Sequence, residues 1–408
     1  MSSPISVRDR DDSSLPIETS TMRLLYSYTA RFGEGSTVHI GEFVRAFGAH
    51  CGAVVENSTV IPPFREDKST WPLRRRIWAR TVWARRNIDH LVRTWRAARK
   101  SSAEVLLFRF AQDHTWFLAT FVLSFVYPVV LEVNSIRSLE EPDAGGTANR
   151  VLDELTMRAV ARSFTVSEVL RAHMVNVRGF PADKIAVVEN GVDIDSFKQL
   201  VSPDVAKARL GILGTFAVGF VGSLKRWHGV DALVNVAKKV VGRIPNVRFV
   251  IVGDGDARPA LEAQVESAGL RAVFLFTGHV SHEKVVEVLG GMDVMTAPYK
   301  RESLSRTGEF YFSPLKIFEY MAMGKAVIAS PFGQIKQLIE DGVSGRLIHI
   351  EDDETVAEEL VRLYRDAEYR MRLGANARSR IEERYTWKIN AEKVLSVCRS
   401  AEAEFECK

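Results

Sequence analysis

The sequence predicts an α/β protein built from two Rossmann-like domains, each a doubly wound parallel sheet. Three observations carry that expectation. At 408 residues the chain is longer than one ordinary hydrophobic core organises. Arg23 to Ala30 (RLLYSYTA) reads as a strand, and Gly33-Glu34-Gly35 and a helix through Phe47 follow it, which is a Rossmann-like opening. The same rhythm restarts in the second half with strands at Val218–Val221, Val247–Val252, Val273–Thr277, Val294–Ala297 and Ala326–Ala329, each followed by a helical stretch.

Composition narrows the function classes. Hydrophobic residues at 46% and charged residues at 26% describe a soluble globular chain, and a formal net charge of +4 is too mild to argue for nucleic acid. Cys51, Cys398 and Cys407 are odd in number and lack metal spacing, which fits a reducing cytoplasm. Residues 1–20 are polar, with Arg8-Asp9-Arg10-Asp11-Asp12 and no apolar run, so a disordered tail is expected and not a signal peptide. Trp116 to Leu131 is apolar but interrupted by Pro128, and it falls short of the roughly 20 residues of a membrane span. A buried helix and then the strand Val129–Val133 are expected there.

In chain order, a second strand starts at Val54 and ends at Pro62-Pro63. Arg65 to Lys100 is strongly basic, with Arg74, Arg75, Arg76, Arg80, Arg85, Arg86, Arg93, Arg96, Arg99 and Lys100 interleaved with Trp71, Trp78, Trp83 and Trp95. Ile77, Ala84, Ile88, Leu91, Trp95 and Ala98 fall on one stripe at helical spacing. The expectation is a packed helix whose stripe is core, with the arginines flanking a cleft. The alternative is a surface helix, 74–100, that meets an anionic membrane. No RNA-binding module accompanies it.

Val105–Phe110 is the next strand, with Arg109 near its end, and LEVNS places Glu132 and Asn134 beyond the carboxyl end of the neighbouring one. Open α/β sheets bind ligands there. Glu132 has two readings, a structural carboxylate paired with Arg109 or Arg137, or a group that faces the acceptor. Ser163–Ser167 is a short strand, and the Asn190-Gly191 turn leads to a linker. The expected domains are 21–198 and 199–385.

The most informative stretch is Phe310 to Ser330, FYFSPLKIFEYMAMGKAVIAS. Ser313 suits an N-cap and Pro314 the first helical position. Ile317, Phe318, Met321 and Ala322 recur at helical spacing, Gly324 stops the helix, and Ala326–Ala329 is a buried strand. Lys316 in the first turn adds an ammonium to the free N–H groups of a helix start, which suits a phosphate. Glu319, one turn on, is placed for a pair of ribose hydroxyls.

The SPLK…FEYMA…G…V wording resembles the nucleotide-sugar site of the family 4 glycosyltransferases, retaining enzymes of the GT-B architecture, in which two Rossmann-like domains face a cleft. The resemblance extends over nearly all of the chain after residue 20, and it implies a terminal helix, 386–408, that crosses back to the first domain. It implies donor contacts from Gly222, Lys225, Arg226, Gly253, Tyr299, Ser313, Pro314, Leu315, Lys316 and Glu319, with Lys225, Lys316 and Glu319 closest to the chemistry. On the acceptor side it points to Gly33, Gly35, Arg109, His114, Glu132 and Asn134. FVGSLKRWHGVDAL aligns with the family's phosphate loop at Gly222 and Gly229, but Ser223 and His228 stand where Arg and Lys are usual. Lys225 or Arg226 is then expected to take over, or His228 to donate. Tyr311 stands where the family has a glutamate, eight residues before Glu319, which leaves the donor sugar open.

The implied activity is retaining transfer of a hexose from a nucleotide diphosphate sugar to an acceptor hydroxyl. The leaving phosphate itself takes the acceptor proton, and the protein supplies position and electrostatics. No obligatory metal or other cofactor is expected. Asp254-Gly255-Asp256 has a metal-binding spelling, but it follows the strand RFVIVG as a turn into a helix. A cytoplasmic protein, peripheral at the inner membrane if helix 74–100 meets lipid, is the matching location. Two rivals are a GT-B nucleotide-sugar epimerase, against which the lack of an acid/base carboxylate pair speaks, and a catalytically silent scaffold, suggested by Ser223, His228 and Tyr311.

Overall fold

The computed structural model describes residues 22–30, 35–50, 53–60, 73–110, 117–135, 147–198, 201–304, 310–311 and 313–407. In its first half, β1 (Arg23–Ala30), β2 (Ala53–Val60), β3 (Val105–Arg109), β4 (Val129–Val133), β5 (Arg162–Thr165) and β6 (Ile185–Val187) form a six-stranded sheet in the order β2-β1-β3-β4-β5-β6. In the second half, β7 (Phe216–Val221), β8 (Val247–Val252), β9 (Phe274–Gly278), β10 (Val294–Ala297), β11 (Ala326–Ala329) and β12 (Arg346–Leu347) run in the order β12-β11-β10-β7-β8-β9. Neighbouring strands are parallel throughout both sheets. Parallel strands covered on both faces read as continuous apolar runs, and β4, β7, β10 and β11 are buried along their whole length.

In the first half, helices α1 (Gly35–His50), α2 (Leu73–Ser101), α3 (Phe117–Leu123), α4 (Thr147–Ala159) and α5 (Glu168–Asn176) surround the sheet. The second half adds α6 (Pro203–Arg209), α7 (Ala232–Val240), α8 (Arg258–Ser267), α9 (His282–Gly290), α10 (Leu315–Ala322), α11 (Ile335–Leu338), α12 (Asp353–Arg365) and α13 (Ala367–Arg384). The last helix, α14 (Trp387–Glu406), returns to the first sheet. Trp387, Ala391, Val394 and Cys398 join the core that Tyr26 of β1 and Phe43 of α1 form on one face. The other face holds Leu25, Phe108 and Leu131 against residues of α2, α3 and α5. Alternation along β1 thus serves both layers.

Two expectations are corrected here. The apolar stripe on α2 is buried only in part, fully at Ala98 and partly at Leu91. Asn87, His90, Thr94 and Ala98 face the sheet, whereas Ile88 is 54% and Trp95 41% exposed. Burial of the polar residues is met by hydrogen bonds, with His90 Nε2 at 3.3 Å from Ser27 Oγ and 3.2 Å from Thr94 Oγ1, and Asn87 Oδ1 accepting from Leu118 N. The apolar stretch before β4 also differs: α3 ends at Leu123, and Phe125 and Val126 in the following turn are 68% and 59% exposed. No helix among the described residues is long and apolar enough to cross a membrane.

Candidate active site

The order of the second sheet changes direction between β7 and β10, and the carboxyl ends of these two strands flank the resulting crevice. Ligands of open α/β sheets settle at such a point. Past β7 comes Gly222 at φ 146, and past β8 comes Gly253 at φ 127. A side chain at Gly253 would sit 2.0 Å from the Gly222 carbonyl oxygen, and one at Gly222 would sit 2.7 Å from Lys316 Nζ. Both conformations favour glycine, and at Gly253 the close approach to backbone requires it.

Lys316 lies in the first turn of α10. Its Nζ stands 4.5 Å from the centre of the Phe220 ring and 5.4 Å from that of Tyr299, a residue just past β10. The ammonium is buried and has no hydrogen-bond partner among the described residues. Burial pushes its pKa down to about 7, and the Glu319 carboxylate acts against that shift. Glu319 is itself pushed up to about 7 by burial, opposed by Lys316. Aromatic faces soften the cost of a buried cation but leave its three donors unused.

The start of α10 differs from the expected one. Pro314, at ψ 81, occupies the capping position, and no side chain caps the helix. Ser313 therefore does not cap; its Oγ is buried without a hydrogen-bond partner among the described residues. Leu315 is the first helical residue. The helix is instead fixed by Tyr320, whose hydroxyl accepts from Val221 N at 2.8 Å and donates to Val221 O at 3.0 Å. Tyr320 ties α10 to the end of β7, and the apolar stripe of the helix gave no sign of it.

The phosphate-loop residues divide by exposure. Lys225 and Arg226 are exposed and make no ion pair among the described residues. His228 is buried, with Nδ1 2.5 Å from the Ser223 carbonyl oxygen. A carbonyl can only accept, so that ring nitrogen carries the proton. Burial, then the Lys316 charge, push the His228 pKa down to about 3. The imidazole is therefore neutral with its one N–H committed, and His228 is not the donor that the sequence allowed. Trp227 stacks near Tyr299 (6.3 Å, 21°), and Tyr299 meets Phe310 edge-on at 4.9 Å, so Tyr299 is an aromatic wall.

Tyr311 has left the donor side altogether. It is buried among Phe108, Leu131 and Val133 of the first domain, and its carbonyl accepts from Ser167 Oγ at 3.1 Å. Gln334 Nε2 adds a second bridge to Val166 O at 3.1 Å. Asp254 accepts from Gly255 N at 2.7 Å and from Arg258 at 3.1 Å, which closes the turn into α8. Asp256 is exposed beside it.

On the first sheet, the register sets Arg109 beside Glu132. Glu132, 1% exposed, accepts from Arg109 at 3.0 Å, Tyr26 Oη at 2.6 Å and Asn134 Nδ2 at 2.7 Å. This favours its structural reading over a role toward the acceptor. Arg109 and Asn134 remain partly exposed at the strand ends. Gly35 opens α1. Gly33, His114 and Arg137 lie outside the described residues.

Residues 215–366 match the family model described as Glycosyl transferases group 1. Alpha-maltose-1-phosphate synthase of Mycolicibacterium smegmatis is 28% identical over 318 residues, which span 71% of this chain and 79% of that protein. Alpha-D-kanosaminyltransferase of Streptomyces kanamyceticus is 25% identical over 283 residues, 67% of this chain and 70% of that one. Among solved structures, HepE of Anabaena in complex with UDP superposes with a TM-score of 0.71 over 93% of this chain and 100% of that chain, at 16% identity. At that identity the likeness speaks for the fold.

Proposed function

We propose that the chain, residues 215–366 of which match the group 1 glycosyltransferase model, is a glycosyltransferase of the GT-B fold that acts with retention on a nucleoside diphosphate hexose and without an obligatory metal. The observation that carries the proposal is Lys316. A buried ammonium with unused donors, at the uncapped start of a helix and against Gly222, calls for an anion. HepE structures hold UDP and UDP-glucose, which makes these the first donors to try.

In this reading the diphosphate lies over Gly222 and Gly253, where the backbone has no side chain in the way. Lys316 and the first N–H groups of α10 stabilise the charge that grows on the leaving phosphate. Lys225 and Arg226, exposed in the loop after β7, add charge from the solvent side. Ser313, Pro314 and Leu315 shape the helix start, Tyr299 walls the crevice, and Glu319 accepts from the ribose hydroxyls. The acceptor enters from the first domain, beside Arg109 and Asn134. The bond between the anomeric carbon and the diphosphate oxygen breaks, the acceptor oxygen bonds to that carbon on the same face, and its proton passes to the leaving phosphate oxygen.

The test is transfer or slow donor hydrolysis with a panel of nucleoside diphosphate hexoses in EDTA, with the product anomer read by NMR. Retained configuration with chelator present is the expected result. An inverted product overturns retention, and activity lost to EDTA and restored by Mn²⁺ overturns metal independence and returns attention to Asp254 and Asp256.

A further inference from the structure

The first domain carries a surface that the sugar-transfer reading does not use. Helix α2 turns its polar residues inward, Asn87, His90 and Thr94, and leaves Trp83, Ile88 and Trp95 exposed. α2 packs against α3, and α3 against α4. The neighbouring helices add Val122, Phe125 and Val126 at the end of α3, and Val151 and Leu155 on α4. An apolar surface spread over three adjoining helices is more than the scattered exposure of an ordinary monomer.

The charge on α2 is strongly basic, while α4 contributes Glu154, which is paired with Arg158 at 2.6 Å. Between Leu73 and Ser101 the sequence holds ten basic residues and one acid, Asp89, which pairs with Arg93 at 2.9 Å. Arg85, Arg86, Arg96, Arg99 and Lys100 are exposed, and the Arg99 guanidinium lies 5.1 Å over the Trp95 ring. Tryptophan beside arginine, with aliphatic side chains alongside, suits the boundary between lipid headgroups and acyl chains. A single-stranded nucleic acid would use the arginines and tryptophans, but Ile88, Val122 and Val126 offer a base nothing to stack on.

We propose that the outer surface of α2, α3 and α4 docks on an anionic lipid bilayer, with the arginines at the headgroups and Phe125-Val126 reaching into the apolar layer. The helix meets lipid in this account, so the arginines serve the membrane and not the acceptor cleft. Docking would place the enzyme beside acceptors presented at a membrane surface.

Co-sedimentation of the full chain with vesicles tests it. Binding to phosphatidylglycerol vesicles at low salt, weakened by added salt and absent with phosphatidylcholine vesicles, is expected. Arg85→Gln, Arg96→Gln and Arg99→Gln together should weaken binding about 100-fold, since each basic residue near an anionic surface contributes roughly a fivefold factor. Phe125→Ser with Val126→Ser should weaken it separately while salt dependence persists. All these positions are exposed, so donor hydrolysis should stay at its starting level and report an intact fold. No sedimentation with anionic vesicles at low salt overturns the proposal. Equal binding by the Phe125/Val126 variant removes the apolar half of it, and a single-stranded RNA that displaces the protein from vesicles assigns the face to nucleic acid instead.

Discussion

Each domain sets a largely covered cation near the carboxyl edge of its sheet, and the two are treated in opposite ways. Arg109, on β3, has Glu132 at 3.0 Å, and that carboxylate is held in turn by Tyr26 and Asn134. Lys316, on α10, has two aromatic rings and no hydrogen-bond partner among the described residues. A satisfied charge network is architecture, since every donor and acceptor in it is already used. An ammonium stripped of water and left unbonded lowers the stability of the empty protein, and it regains that loss when an anion arrives. In the proposed reading, the contrast separates the sheet that holds its shape from the one that receives a ligand.

The largest expected effect is on the paired side. Glu132→Ala leaves the largely covered Arg109 guanidinium and the buried Tyr26 hydroxyl without their shared acceptor, and such half-broken pairs lose about 3–5 kcal/mol of stability. Urea unfolding should show that loss, whereas Lys316→Met should leave stability unchanged or raised. If Lys316→Met destabilises as much as Glu132→Ala, the ammonium is structural and the contrast fails.

Next in size is binding. Lys316→Met should weaken a nucleoside diphosphate by about 1.5–3 kcal/mol, the worth of a charge-assisted hydrogen bond, and leave the free nucleoside nearly unaffected. Isothermal titration with UDP and uridine compares the two, and equal losses would place Lys316 outside the phosphate site.

A smaller effect follows pH. With its pKa near 7, against an ordinary 10.5, Lys316 is partly neutral in the empty site. A bound diphosphate favours the charged form, so binding takes up a proton, and affinity should fall as pH rises above about 7. The slope should vanish in Lys316→Met. Stability moves the other way: between about 7 and 10.5 the unfolded chain holds the extra proton, so the Lys316 penalty fades as pH rises. Glu319, held near 7 against 4.5, contributes a loss of stability as pH rises between those values. The stability gain of Lys316→Met over the parent should therefore shrink from pH 7 to pH 10.

The two sides were also unequally legible. The strands β8, β10 and β11 could be read from the sequence because both faces are covered and the apolar runs are interrupted only by Arg248 and Thr296. β6 and β12, three and two residues long, are too short to carry a period. Lys316 and Glu319 stood out because they interrupt the apolar spacing of one short helix. The Arg109–Glu132 pairing was one of two readings until the register of β3 and β4 set them side by side. Helix α2 was misread because periodicity finds an apolar stripe but cannot tell which face the sheet meets. Ser27 on β1 and Leu118 N on α3 offer partners to His90 and Asn87, and those long-range bonds turned the polar residues inward. Tyr320 was missed for a related reason, since its partner is the backbone of Val221, ninety-nine residues away.

The smallest predicted effect separates two jobs on α10. Glu319 shares a helix with Lys316, and each charge moves the other's pKa. If Glu319 accepts from the ribose, Glu319→Gln replaces a charged acceptor by a neutral one and should weaken uridine and UDP alike, by about 0.5–1.5 kcal/mol. If Glu319 serves only to keep Lys316 charged, UDP alone should weaken, and its affinity should fall more steeply with pH than in the parent. A variant that binds both normally but no longer turns over would place Glu319 at the reacting sugar. Titration calorimetry at two pH values distinguishes the three. The ribose assignment predicts that uridine weakens along with UDP, because uridine has no phosphate through which Lys316 could carry the effect.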